Sequence, residues 1–267
     1  MTNKWNYQPP TQTEIQERDH LAAELGLSPV ISLLLVRRGL KTAKEVKKFF
    51  RPSLNDLEDP FLMPDMQKAV SRLNQALGEK EKILIYGDYD VDGTTAVSLV
   101  YKYLRAYTSN LYYYIPDRYD EGSGISIKGI DYAHSIGVTL IISLDCGIKA
   151  IDKIEYAKEK GIDFIICDHH MPDETLPDAV AVLDAKREDS IYPYEHLSGC
   201  GVGFKFMQAF AISNKRPFSE LEKLLEFTAV SIASDIVPIT GENRILAYYG
   251  LRQINSNPSL GLKGIID

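Results

Sequence analysis

The sequence of 267 residues has few cysteines and lacks long apolar runs. Its three cysteines are widely spaced and lie among apolar residues, at Cys146, Cys167 and Cys200. That pattern excludes a disulfide framework or a cysteine-rich zinc site and suits buried thiols in a reducing compartment. No apolar run reaches the roughly 18 residues of a transmembrane helix. The first residues lack the basic and then apolar stretch of a signal peptide, so we expect a cytoplasmic protein.

Basic residues are also fewer than acidic ones, 30 against 37, which gives a net charge of −7. An acidic total is a mild argument against a nucleic-acid partner, since such binding depends on phosphate neutralisation by Lys and Arg. Acidic residues gathered in a metal site would be offset by the bound cations. One stretch is basic, with a single acid, Glu45, among seven cationic residues: Arg37, Arg38, Lys41, Lys44, Lys47, Lys48 and Arg51. From this stretch alone, a solvated helix face is the favoured interpretation and a nucleic-acid-binding face is the alternative.

The chain divides into a short leader and a larger domain. Residues 1–65 predict helices and irregular segments, with one helix from near Thr11 and another over about 42–50. Prolines at positions 52, 60 and 64 then mark a linker in which no helix can extend far. We therefore expect a helical appendage over residues 1–65 and the main domain over residues 66–267.

In the main domain, short apolar segments alternate with helical patterns. The segments KILIYGD, LYYYIPD, TLIISLD, DFIICD and AVAVLDA are rich in Val, Ile and Leu. Such strands, separated by helices, indicate a parallel sheet with helices on both faces, a three-layer α/β fold of Rossmann-like type. Three strands end in acidic residues, namely Asp88, Asp145 and Asp168. Ligands bind at this edge of open α/β sheets, and like charges gathered there repel unless cations hold them.

The segment Asp88-Tyr89-Asp90-Val91-Asp92-Gly93 presents three alternating carboxylates. Alternate residues of an extended segment project to the same side, so we expect these carboxylates to face one site. The competing interpretation is an EF-hand calcium loop, which requires Glu at position twelve and a preceding helix. Position twelve is Leu99 and the preceding segment is a strand, so the EF-hand is excluded.

Two further aspartates are candidates from their positions alone. Asp145 lies between a strand and a helix, where a helix cap and a metal ligand are equally plausible alternatives. Near the other carboxylates, it is the natural ligand to bridge two metals. Asp235 ends an apolar helix, where a carboxylate is unfavourable for the helix dipole. We expect a compensating cation there, with an ordinary salt bridge as the alternative.

Asp168, His169 and His170 follow a strand directly. Successive side chains point different ways, so one imidazole can bind metal while the other meets substrate. Asp168 can orient a neighbouring imidazole by a hydrogen bond. Carboxylates and imidazoles without a thiolate favour Mn²⁺ or Mg²⁺ over zinc. Two such cations would activate a water and neutralise transition-state charge, with His170 as electrophile or proton donor.

The segments DYDVDG, LDCG, DHH and ASD occur in the order of the four motifs of the DHH phosphoesterase superfamily, which this sequence resembles over essentially its whole length. Within the superfamily, the similarity is to bacterial exonucleases that digest single-stranded DNA 5′→3′ in recombination and repair. The resemblance implies a DHH phosphoesterase domain with two bound cations, Mn²⁺ or Mg²⁺. The implied ligands are Asp90, Asp92, Asp145, His169 and Asp235, with Asp145 as the bridge.

The same resemblance assigns roles around the metals. It implies that His170 contacts the scissile phosphate and that Asp88 and Asp168 are supporting or variable ligands. Arg118 is a candidate for a phosphate contact, and pairing with Asp120 or Glu121 is its equally plausible alternative. Single-stranded DNA is the implied partner, and we expect a monomer that needs no membrane and works beside repair or single-strand-binding proteins.

Two departures from the family pattern stand out. Ser123 replaces the aromatic residue of the usual EGYG loop, which predicts altered base stacking in the DNA channel. Related exonucleases continue into a DHHA1-type domain and an OB-fold, whereas this sequence ends at Asp267. We therefore expect the metal half of the site, with weak or no processive activity by itself.

Two other functions remain open. One is a DHH phosphoesterase acting on short oligonucleotides, cyclic dinucleotides or pyrophosphate, against which the leader and the segment at 241–244 argue. The other is a non-catalytic scaffold, although every expected ligand type is retained. The glycine run at 199–203 lacks the G-x-G-x-x-G spacing of a dinucleotide loop and does not follow a strand.

Overall fold

The computed structural model describes residues 6–267, which form two compact units. The first unit ends at Ser53 and the second runs Leu54–Asp267. The start of the second unit is fixed by hydrogen bonds from Lys205 Nζ to the Glu58 carbonyl and from the Glu58 amide to Glu242. The domain boundary at 65/66 that we infer from the sequence stays a proposal.

Over residues 6–53, the first unit contains three helices: α1 Gln12–Leu25, α2 Pro29–Arg37 and α3 Ala43–Phe50. Thr11 and Thr42 begin α1 and α3 with reciprocal capping boxes, each closed by a glutamate three residues later. A small core holds the unit together, formed by Leu21, Leu35, Val36 and Val46. The structure contains both helices predicted here. It adds α2, whose start signal is Ser28 as cap followed by Pro29.

The second unit is built on a five-stranded parallel sheet of order β2-β1-β3-β4-β5. The strands are β1 Ile83–Gly87, β2 Leu111–Tyr114, β3 Leu140–Leu144, β4 Asp163–Cys167 and β5 Ala181–Leu183. The helices are α4 Met66–Gly78, α5 Val91–Leu104, α6 Ile127–Ser135, α7 Ile151–Glu159, α8 Gly199–Ser213, α9 Ser219–Glu222, α10 Leu225–Ser234, α11 Gly241–Ser256 and α12 Leu260–Ile266. None of the helices described over residues 6–267 is long and apolar enough to cross a bilayer.

Both faces of the sheet are covered, as predicted. Ile83 and Ile85 of β1 pack into one core with α4, α5 and α8. Leu84 and Tyr86 point the other way, into a second core with α6 and α7. This alternation along one strand shows that helices lie on both faces, and the predicted α/β fold class is confirmed.

The structure corrects the interpretation of residues 88–93 as an extended segment. Helix α5 begins at Val91, so Asp90 is its cap and Asp92 lies in its first turn. The cap forms because the Asp90 carboxylate accepts a hydrogen bond from the Gly93 amide at 2.9 Å. The helix packs tightly on β1, since a Cβ at Gly87 would lie 2.7 Å from the Gly93 carbonyl oxygen.

The helical segment at residues 219–234 is interrupted. It forms as α9 and α10, separated around Leu224. There the Leu224 amide donates to the Leu221 carbonyl and the Phe227 amide to the Leu224 carbonyl, which are tighter contacts than those of an α-helix. The interruption leaves α10 to end at Ser234, directly before Asp235.

Candidate metal centre

The site lies at the carboxyl edge of the sheet, where three strands end in buried aspartates. Asp88, Asp145 and Asp168 follow β1, β3 and β4 respectively, and each is at most 7% exposed. Asp184 follows β5 in the same way and is fully buried. The sequence showed the same strand-end signal for Asp184, but we did not single it out.

His169 stands at the centre of a carboxylate cluster. Its Nε2 atom lies 3.1 Å from Asp145 Oδ1, 3.7 Å from Asp235 Oδ2 and 3.8 Å from Asp92 Oδ2. Ligand atoms of Asp92, His169 and Asp235 all lie within 4.8 Å of one another. The same holds for a second group, formed by Asp145, His169 and His170. The two groups share His169, so five residues from four separate chain segments meet at one place.

Several polar atoms of this cluster are buried without a hydrogen-bond partner among the described residues. They are Oδ1 of Asp145 and both ring nitrogens of His169. Although Asp145 Oδ1 is close to His169 Nε2, the arrangement is not that of a hydrogen bond. Buried polar atoms are rarely left unpaired. Oxygen and nitrogen atoms so placed fit a divalent cation, which would coordinate them.

Asp145 is the most strongly perturbed member of the cluster. Burial, followed by the charges of Asp92 and Asp90, raises its pKa to about 10. Its backbone is in the left-handed region, with φ of 61°, which is strained for a residue other than glycine. A Cβ on Gly199 would lie 2.5 Å from Asp145 Oδ1, so only glycine leaves room for this carboxylate.

Asp92 is held by the start of α8. Its two oxygens accept hydrogen bonds from the amides of Gly199 and Cys200, both at 2.7 Å. Ser231 of α10 donates a third hydrogen bond, at 2.8 Å. Burial nevertheless raises the pKa of Asp92. The glycine run at 199–203 is therefore the support of a site carboxylate, and sequence reasoning missed both it and Ser231.

Asp90 is placed differently from the other predicted ligands. Its side chain caps α5, the residue is exposed, and its carboxylate is in neither group of ligand atoms described above. It is close enough for its charge to raise the pKa of Asp145. The structure thus brings Asp90 to the rim of the cluster, with its carboxylate engaged by Gly93.

Asp168 orients the second histidine. Its Oδ1 lies 2.7 Å from Nδ1 of His170, and its Oδ2 accepts the Ile148 amide at 2.9 Å. Burial alone would raise the pKa of Asp168, but the hydrogen bonds from His170 and the backbone hold it below its ordinary value. The same hydrogen bond raises the pKa of His170, whose side chain is 56% exposed. The hydrogen bond with Asp168 holds the His170 imidazole at the edge of the cluster, where it is exposed to solvent.

Asp88 and Arg118 lie in the surroundings of the cluster. Asp88 accepts hydrogen bonds from the Tyr89 amide at 2.7 Å and from Ser123 Oγ at 2.6 Å. The residue that departs from the family loop therefore contacts a predicted site carboxylate. The Arg118 guanidinium lies over the Tyr89 ring, 5.3 Å from its centre.

Neither expected partner of Arg118 binds it. Asp120 pairs with Lys128, and Glu121 accepts hydrogen bonds from the hydroxyls of Tyr114 and Ser126. The two acids are thus engaged elsewhere, and the alternative in which Arg118 only balances them is wrong in this structure.

A cleft of about 600 Å³ opens beside the cluster. Asp88, Ser123, Asp145 and His170 line it, and Lys149 and Lys153 supply positive charge that sequence reasoning did not identify. Lys149 lies 3.1 Å from Asp173 and Lys153 pairs with Asp152, so both cations are already balanced. The volume suits a ligand of nucleotide size.

Comparisons with known proteins identify the family and the relatives of this chain. The model of the DHH family, N-terminal domain, matches residues 82–232. The single-stranded-DNA-specific exonuclease RecJ of Bacillus subtilis is 38% identical over 263 residues, which are 98% of this chain and 32% of that protein. The Escherichia coli RecJ is 32% identical over 95% of this chain and 45% of its own length. The chain thus spans about a third of the length of the first relative and just under half of the length of the second.

Solved structures show the same relationship. The crystal structure of RecJ from Thermus thermophilus in complex with Mn²⁺ superposes with a TM-score of 0.78 and 25% identity, over 96% of this chain and 35% of that one. The order of the four motifs, the parallel sheet and the family match all indicate the same family. The chain belongs to the DHH family, and RecJ exonucleases are among its relatives.

Proposed function

We propose that this chain carries the catalytic site of a metal-dependent phosphodiesterase that digests single-stranded DNA from the 5′ end. The observation that carries the proposal is the set of unpartnered atoms on Asp145 and His169, surrounded by the carboxylates of Asp92 and Asp235. Such an arrangement is unfavourable without cations and favourable with them. We place the catalytic domain at residues 66–267, after a leader at residues 1–65.

Two divalent cations, Mn²⁺ or Mg²⁺, fit this donor set of oxygen and imidazole ligands. We propose that Asp92, Asp145, His169 and Asp235 hold them, with Asp90 joining from the rim and Asp145 shared between both. When bound, the cations supply an activated water and neutralise charge on the phosphoryl group. Asp88 and Asp168 would be supporting residues beside these ligands, and Asp168 would orient His170 by its hydrogen bond.

The remaining side chains would handle the phosphate itself. His170, whose pKa is raised by its hydrogen bond with Asp168, would donate a hydrogen bond or a proton to a phosphate oxygen. Arg118, stacked on Tyr89 and free of Asp120 and Glu121, would contact a neighbouring phosphate. The cleft lined by Ser123 and Lys149 would receive the terminal nucleotide. We expect the protein to act in the cytoplasm as a monomer, beside repair or single-strand-binding proteins.

The substrate is proposed from the relatives, whose names describe exonucleases specific for single-stranded DNA. The test is digestion of single strands labelled at the 5′ or 3′ end, with Mn²⁺, comparing wild type with Asp145→Asn and with the exposed control Asp178→Asn. We expect wild type and the control to release label from the 5′ end and Asp145→Asn to be inactive. Cleavage confined to dinucleotides or pyrophosphate would favour a different DHH phosphoesterase.

A further inference from the structure

Charge is segregated between the two units of the chain. Residues 1–53 carry nine Lys and Arg against five Asp and Glu, a net charge of +4. Residues 54–267 carry 21 Lys and Arg against 32 Asp and Glu, a net charge of −11. The acidic total of the sequence therefore hides a basic first unit. Charge asymmetry of this kind is a sign of interaction with an anionic partner.

The excess positive charge of this unit is concentrated on helix α3. Lys44, Lys47 and Lys48 lie three and four residues apart, which places them on one helix face. Arg51 follows at the C-terminal cap, and all four residues are exposed. The opposite side of the helix is occupied, because Ala43 and Val46 are buried. We call Lys44, Lys47, Lys48, Phe50 and Arg51 the α3 surface.

The acidic residues of the first unit are all engaged elsewhere. Glu14 pairs with Arg37 at 3.2 Å and Glu17 with Lys41 at 2.9 Å. Glu45, the one acid within α3, turns back to accept the amides of Lys41 and Thr42, both at 2.9 Å. The other two acids contact local partners, Asp19 with Arg18 and Glu24 with His20. Among residues 6–53, no acidic side chain lies within ion-pair distance of the four cations of the α3 surface.

An exposed aromatic residue, Phe50, directly precedes Arg51 and lies three residues after Lys47. Phe50, in the last turn of α3, has 56% of its surface exposed to solvent. Proteins that bind single strands without sequence preference combine a basic groove with aromatic rings on which bases stack. From Lys44 to Arg51 the helix advances about 10 Å, enough to meet two or three successive phosphates.

We propose that the α3 surface binds the sugar–phosphate backbone of single-stranded DNA without sequence preference, with Phe50 stacking on a base. The identity of the strand rests on the proposed function, whereas the preference for a polyanion rests on the charges themselves. A membrane surface fits less well, because an interfacial helix needs a free apolar face and that of α3 is buried. Lysines near a helix C-terminus also favour the helix dipole, a role that would affect stability and not binding.

The test is the binding of a fluorescent oligothymidine of about 30 nucleotides to the full chain in EDTA, measured by anisotropy over a range of salt concentrations. The variant is Lys44→Gln/Lys47→Gln/Lys48→Gln. The control, Lys128→Gln/Lys158→Gln/Lys160→Gln, removes the same charge from lysines paired with Asp120, Asp178 and Asp131. Because each phosphate contact contributes about 0.7 to the salt slope for single strands, we expect the variant to lose about 2 from it.

We expect affinity to fall at least tenfold in the variant and to change little in the control. Phe50→Ala should lower affinity about tenfold with the salt slope unchanged. The variant with arginine at all three lysine positions should bind like wild type, because it keeps the charge. It shows that substitution at these positions does not by itself abolish binding. Equal losses in variant and control, or lower stability with normal binding, would overturn the proposal, as would binding of anionic vesicles in place of DNA.

Failure of this proposal can be told apart from failure of the proposed function. A dinucleotide has one phosphodiester and cannot span three lysines, so the glutamine variant should hydrolyse it with Mn²⁺ at the wild-type rate. Absence of hydrolysis of both the dinucleotide and single-stranded DNA by wild type would contradict the metal site and leave the binding result intact. Loss of dinucleotide hydrolysis in the variant alone would contradict the α3 surface as a separate binding element.

Discussion

Asp168 Oδ1 lies 2.7 Å from His170 Nδ1, so a fully buried carboxylate holds a histidine that faces solvent. The carboxylate is itself fixed by the amides of Ile148 and His169. Its position therefore depends on the backbone after β3 and β4 and not on a flexible side chain. In this pair, Asp168 is fixed at the carboxyl edge of the sheet and His170 lies in the exposed part of the site.

The first prediction follows from this pair. Asp168→Asn keeps the size of the side chain but removes the charge that raises the pKa of His170. Loss of such an outer partner typically lowers activity 10–100-fold, and we expect the loss in kcat with KM changed less than about threefold. Steady-state kinetics on a single-stranded substrate measure it. The control Asp178→Asn, an exposed carboxylate outside the cleft that pairs with Lys158, should behave like wild type. A normal kcat in Asp168→Asn would show that His170 needs no partner.

The second prediction concerns the space around Asp145. Gly199→Ala would bring a Cβ to 2.5 Å from Asp145 Oδ1, so the carboxylate or the start of α8 must move. We expect Mn²⁺ affinity to fall at least tenfold, measured by calorimetric titration. Gly78→Ala is the matched control, because a Cβ there meets nothing within 4 Å. Similar affinities in both variants would mean that Asp145 has room to shift.

The third prediction is a pH dependence of stability. Burial raises the pKa of Asp184 to about 7, so the folded protein binds this proton more tightly than the unfolded chain does. For a carboxyl group with a raised pKa, stability is therefore lost as pH rises from about 4 to 7. Asp184→Asn removes this loss and keeps an oxygen for the Lys186 amide.

The stabilisation by Asp184→Asn, measured by urea unfolding, should be larger at pH 8 than at pH 5 by up to about 3 kcal/mol. The exposed Asp178→Asn should show no such increase. If the two variants responded to pH alike, Asp184 would be ionised in the folded protein at neutral pH.

The fourth prediction tests a buried ion pair away from the metal centre. Lys205 Nζ lies 2.9 Å from Glu242 Oε1, and both residues are at most 2% exposed. Glu242→Gln leaves the lysine without a charge partner, which costs about 3–5 kcal/mol of unfolding free energy. The double variant Lys205→Met/Glu242→Leu should lose less, since it removes both charges. Equal losses would mean that the hydrogen bonds of Glu242 matter more than its charge.

The sequence predicts the candidate site because the ends of short apolar strands can be recognised in it. Asp145 and Asp168 follow short Val- and Ile-rich segments, and parallel strands bring such residues to one edge. The support of Asp92 was not predictable in this way. It depends on amides 107 and 108 residues further along the chain and on Ser231, 139 residues away, and no local pattern specifies those contacts.

Local chemistry explains the errors as well. The alternating aspartates of residues 88–92 suggested an extended segment, but the Asp90 side chain caps a helix that starts one residue later. For Arg118, the sequence leaves pairing with Asp120 or Glu121 open as an alternative to a phosphate contact. In the structure Asp120 pairs with Lys128, Glu121 accepts hydrogen bonds from nearby hydroxyl groups, and Arg118 stacks on Tyr89. In both cases several hydrogen-bond or ion-pair partners compete for one side chain, and the sequence alone does not show which partner it contacts.

The most direct test of the central claim is the number of Mn²⁺ ions that the chain binds, measured by electron paramagnetic resonance or calorimetry. The account predicts two ions per wild-type chain and the loss of both in Asp145→Ala, because Asp145 would be a ligand of both ions in the proposed site. The exposed Asp178→Asn should still bind two. Absence of Mn²⁺ binding by wild type, or two ions retained in Asp145→Ala, would contradict a metal centre at this edge of the sheet.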